Sequence, residues 1–133
     1  MIPPFTDLGK LPPGVHPATL AQVAARLGTG SELRRAQVQS LQWMIDLARR
    51  AGVSRIILNG SFVTDTMEPN DVDCVLLVGP AFRKNSPEEQ ELRDGLPFLT
   101  IELVEQADFD FFVNRFFATD RDNVAKGMIE VIS

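Results

Sequence analysis

Residues 58–78 read LNGSFVTDTMEPNDVDCVLLV, two apolar runs around a polar middle. The first run begins at Arg55 (RIILN, 55–59) and has the length and branched content of a short buried strand. The second, DVDCVLLV (71–78), reads as another. Gly60, Ser61, Thr64, Pro69 and Asn70 between them require the chain to turn. Side chains alternate along a strand, so Asp71 and Asp73 project on one face about 7 Å apart, and Cys74 projects on the other as a small core residue. Two like charges at that spacing repel, and a hard divalent cation with oxygen ligands relieves them. Gly60 lets the backbone approach a ligand closely. Ser61 offers a hydroxyl and an N–H to a phosphate oxygen.

Elements on either side complete the pattern. Thr19 or His16 opens a short helix, Leu20–Leu27, ending at Gly28-Thr29-Gly30. Ser31 opens a second, whose apolar stripe runs through Val38, Leu41, Ile45 and Ala48 to a stop at Gly52. Gln37, Gln42, Arg49 and Arg50 fall mostly outside that stripe. Residues 86–95 read as a short exposed helix or a loop. FLTIELV (98–104) is a third strand and GMIEVI (127–132) a fourth, with a helix rich in phenylalanine expected over 108–118. Its rings point to more than one side, which predicts burial on two. Residues 119–126, TDRDNVAK, form a polar turn. Residues 1–19 hold five of the nine prolines, which predicts an irregular arm lying across the body. Long helices with short strands between them make the chain α/β or α+β.

At 133 residues and 14.7 kDa the chain makes one domain, able to bury a core without disulfides. Net charge is −5, which argues against non-specific coating of a DNA backbone. A single cysteine excludes an internal disulfide and a thiolate zinc site. Neither a signal peptide nor a membrane span is apparent, so the expected location is cytoplasmic.

The order apolar strand, Gly60-Ser61, nine residues, then Asp71-Val72-Asp73 opening an apolar strand resembles the nucleotidyltransferase superfamily of the DNA polymerase β type. The stretches IPPFTDLGKLPPGVHPATL (2–20) and TDRDNVAKG (119–127) are similar to short uncharacterised bacterial proteins described as nucleotidyltransferase-like. The resemblance implies a small mixed sheet flanked by helices. It implies that Asp71 and Asp73 bind Mg²⁺ or Mn²⁺ and that Gly60 and Ser61 hold the terminal phosphates of an NTP. Glu102, the lone charge in the third strand, matches the third carboxylate, a metal ligand and base. The segment after Gly60-Ser61 is Phe62-Val63-Thr64-Asp65, without a cation, and Arg121 and Lys126 are the residues that would supply one. The implied reaction transfers a nucleoside monophosphate to an acceptor hydroxyl on a protein, an RNA or a small molecule.

The alternative is an inactive nucleotidyltransferase-like module that binds a partner protein through the phenylalanine-rich helix, as in a toxin–antitoxin pair. A homodimer or a protein partner completing a shallow site fits either reading. His16, alone in the arm, reads as structural.

Overall fold

The two strands on either side of Gly60 pair with each other. In the computed structural model, which describes residues 1–116, 118–119 and 124–132, β2 (Arg55–Asn59) runs antiparallel to β3 (Val72–Leu77). Asn59 faces Asp73 across the ladder. β4 (Leu99–Val104) lies parallel to β3, and β5 (Gly127–Ile132) lies antiparallel to β2. The prolines of the arm mask a fifth strand. β1 (Gly14–Thr19) pairs parallel with β5 at the sheet edge, and the order is β1-β5-β2-β3-β4. Pro17 lies within β1, and an edge strand tolerates its missing N–H. The expected irregular arm is therefore corrected at residues 14–19. Residues 1–13 do lie across the body, with Ile2 and Leu11 buried.

Among the described residues four α-helices flank this mixed sheet: α1 (Leu20–Leu27), α2 (Glu32–Ala51), α3 (Pro87–Asp94) and α4 (Gln106–Phe111). Thr19 and Gln22 cap α1 reciprocally, and the Ser31 hydroxyl accepts the Arg34 N–H at the start of α2. Gly52 ends α2 at φ 83°, where a Cβ would collide with the Ala81 carbonyl oxygen. One sheet face (Ile56, Leu58, Cys74, Leu76, Ile129) joins the core with Leu41, Met44, Ile45 and Ala48 of α2. The other face (Ile57, Val75, Leu77, Met128) packs on Phe109 of α4. The phenylalanine-rich helix begins earlier than expected, as α4, and passes into a π-helical segment at Phe112–Phe116. Phe109 is buried, Phe112 packs on the sheet face and Phe111 is half exposed, while the expectation for the side chains of Phe116 and Phe117 falls outside what the structure describes.

Residues 61–70 hold together through α2. Arg34, 5% exposed, donates Nη1 to the carbonyls of Leu27 and Phe62 (2.9 Å each) and Nη2 to those of Thr64 (2.8 Å) and Thr66 (2.6 Å). Its guanidinium also lies 5.3 Å from the Phe62 ring centroid. One turn on, Gln37 donates to the Asn70 carbonyl (2.9 Å) and is itself buried, although the apolar stripe leaves it out. A buried cation is costly unless its donors are used, and these are spent on the carbonyls of the loop and of the end of α1. Arg34→Met is therefore expected to lower unfolding stability by about 3 kcal/mol. Arg35→Ala, at an exposed position, is expected to stay within about 0.5 kcal/mol. Urea denaturation of both variants checks this.

Candidate functional site

The close of β2 and the opening of β3 put Asn59, Gly60, Asp71 and Asp73 on the wall of a cavity of about 1350 Å³. Side chains alternate, so Asp73 and Asn59 share the sheet face that carries Ile57 and Val75, while Cys74 is buried on the other. Gly60 has φ 90° and ψ −169°, a conformation almost restricted to glycine. A Cβ there would lie 3.0 Å from the Asp73 carboxylate. The missing side chain is thus what lets Asp73 stand against the turn. Ser61 opens a single 3₁₀ turn, Ser61–Val63, and its Oγ accepts the Asn70 N–H (2.8 Å). That bond closes the loop and leaves the hydroxyl hydrogen to donate.

Lys126 reaches the same cavity from the start of β5. Its Nζ donates to Asn59 Oδ1 (2.5 Å), its N–H to the Ala118 carbonyl, and the next residue, Gly127, donates to the Leu11 carbonyl. Burial pushes the Lys126 ammonium down to about 8; Asp73 opposes the shift and Lys10 adds to it. Burial likewise raises the Asp73 carboxyl above its usual range; Lys126 draws it down and Asp71 pushes it further up. Both charges therefore lose more to desolvation than they gain from each other. A ligand carrying both a cation and anionic oxygens relieves the two together.

Of the residues singled out by sequence, Gly60, Ser61, Asp71, Asp73 and Lys126 converge on the cavity. Glu102 does not: it is exposed in β4 and faces Val75, and the residue across from Asp73 on the cavity wall is Thr100. Glu102 shares the sheet face of Asp73 but stands two residues further along it, because parallel pairing sets β4 in that register. The expectation for Arg121 falls outside the described residues. His16 bonds through Nε2 with the Pro12 carbonyl (2.6 Å), in keeping with a structural role.

Three cavity residues had escaped the sequence reading. Lys10 arrives with the arm, where Asp65 N–H donates to the Gly9 carbonyl (2.9 Å) and Lys10 bridges to Thr64. Arg115 arrives with the π-helical turn, and Asn59 ends the buried β2. Lys10, Arg115 and Lys126 supply positive charge that the Phe62–Asp65 segment lacks. The one local signal was Asn59, a polar residue closing an apolar run. Lys10 and Arg115 are remote in sequence from the carboxylates with which they share the cavity.

Oxygen donors from Asp71 and Asp73 suit Mg²⁺, which is commonly bound by one or two carboxylates, waters and substrate phosphates. Among the described residues no group of three or more His, Cys, Asp or Glu side chains gathers.

Two outcomes test this electrostatic account. Gly60→Ala is expected to cost about 2 kcal/mol of stability, from backbone strain and contact with Asp73; chemical denaturation measures it. Unfolded lysine keeps its proton to about 10.5, while folded Lys126 loses it near 8. Between those values the unfolded chain binds more protons, so the Lys126 contribution makes unfolding stability rise with pH. Lys126→Met is expected to remove that rise when wild type and variant are compared at pH 7.5 and 9.5.

No helix among the described residues is long and apolar enough to cross a membrane. Neither the curated proteins nor the solved structures contain a match to the chain. A family model described as "Family of unknown function (DUF6932)" matches residues 3–132, and by that match the chain belongs to DUF6932.

Proposed function

We propose that the protein is a cytoplasmic, Mg²⁺-dependent nucleotidyltransferase that transfers a nucleoside monophosphate from an NTP to an acceptor hydroxyl. One observation carries the reading: Gly60 and Ser61, the pair Asp71 and Asp73, and the buried Lys126 line one cavity. Acidic residues without cations suit a metal, and cations without acids suit an anion. Their intermixture suits a metal–polyphosphate ligand. Drug-sized ligands occupy pockets of roughly 300–1000 Å³, so a cavity of about 1350 Å³ leaves room for an acceptor beside the nucleotide.

Asp71 and Asp73 would hold the metal, which supplies charge neutralisation for the phosphates when bound. The Ser61 hydroxyl and the turn at Gly60 orient the terminal phosphates, and Lys126, Lys10 and Arg115 offset their charge. The acceptor oxygen then bonds to the α-phosphorus as the bond to the bridging oxygen of pyrophosphate breaks. Pyrophosphate leaves, and the acceptor's proton passes to solvent in the open cavity. Glu102 takes no part, because its register carries it past the cavity.

Thermal unfolding with Mg²⁺ and each NTP tests the proposal. Ligand at about a hundred times its Kd stabilises by roughly 2.7 kcal/mol. Wild type is expected to shift with metal and NTP together, and Asp73→Asn to fold normally without that shift. A variant shift equal to that of wild type, or no shift in either, contradicts the assignment.

A further inference from the structure

Phe111 closes α4 on the wall of the same cavity, and its side chain is 51% exposed. Its neighbours behave differently. Phe109 is 1% exposed, and Phe112 packs on the apolar sheet face with Val113. Phe109 and Phe112 thus turn to the sheet, while Phe111 stands in the cavity wall. Apolar surface gains from leaving water, so a half-exposed ring in a cavity wall favours a ligand that covers its exposed face. The ring meets Phe112 edge-on, with centroids 6.1 Å apart and planes at 71°, which restricts its orientation. The regular helix gives way to the π-helical segment immediately after Phe111, and such segments are frequent at functional sites.

We propose that Phe111 is a stacking platform for the nucleobase, so that the cavity accepts all four bases with little discrimination. This rests on the nucleotide reading of the cavity. Stacking uses the π-face that every base presents, and it is tolerant of base identity for that reason. Leu8 and Leu33 also line the cavity and add apolar surface that reads no base edge.

Calorimetric titration with Mg²⁺ and ATP, GTP, CTP or UTP tests the platform, with Mg²⁺ and inorganic triphosphate as the baseless probe. Phe111→Ala and Phe111→Leu, the second keeping apolar bulk, are expected to weaken all four nucleotides about tenfold. Inorganic triphosphate is expected to bind them as it binds wild type, and Phe111→Trp to restore nucleotide affinity. Circular dichroism checks that each variant folds. Unchanged nucleotide affinity in the Ala and Leu variants overturns the proposal. So does an equal loss for inorganic triphosphate, or a wild type that prefers one base strongly. Wild type binding inorganic triphosphate as tightly as any NTP overturns the platform and leaves the phosphate site standing. Wild type binding neither overturns the proposed function and the platform with it.

Discussion

The buried guanidinium of Arg34 organises the site without entering it. Four carbonyls from Leu27 to Thr66 converge on one planar group, and the Phe62 ring lies against it. A loop of ten residues between two buried strands has many conformations, and closing it costs entropy. Arg34 and Gln37, one turn apart on α2, bind its first half and its end. The Ser61 hydroxyl accepts the Asn70 N–H and so joins the loop's two ends. The loop becomes a fixed wall, and Asp65 in turn receives the arm through Gly9. Burial lowers the Arg34 pKa and Asp65 opposes the shift. Guanidinium starts so far above neutrality that the cation persists.

That wall sets the electrostatics of the cavity. Asp73 sits against a turn that only glycine permits, and Lys126 is held by Asn59. The carboxyl and the ammonium are each moved toward neutrality by burial more than they are held charged by their proximity. Folding energy alone does not favour such an arrangement. A ligand with alternating charge does, and metal-bound polyphosphate is the simplest of that kind.

Much of this was legible locally. The boundaries of α1 and α2 follow from Thr19, Ser31 and Gly52, whose side-chain chemistry and backbone freedom act within one turn. The sheet face of Asp73 follows from alternation along β3, while Asp71 lies one residue before the strand. The failures share one cause, dependence on remote partners. β1 exists because β5 offers it an edge, which the prolines around it conceal. Glu102 was judged by its charge within an apolar strand, whereas its position depends on the register between β3 and β4. The role of Arg34 depends on the carbonyls of Phe62, Thr64 and Thr66, about thirty residues away. Phe111 was grouped with its neighbours by composition, and only the packing of α4 separates it from them.

The central claim is that a metal and a nucleotide meet at the carboxylates beside Gly60. Paramagnetic broadening of assigned amide resonances by Mn²⁺ in the presence of ATP locates the metal directly. The account predicts that broadening centres on Gly60, Ser61, Asp71, Asp73 and Lys126 and requires the nucleotide for full effect. Broadening centred elsewhere, such as the acidic face of α3 at Glu88 and Glu91, or spread evenly over the surface, would contradict it.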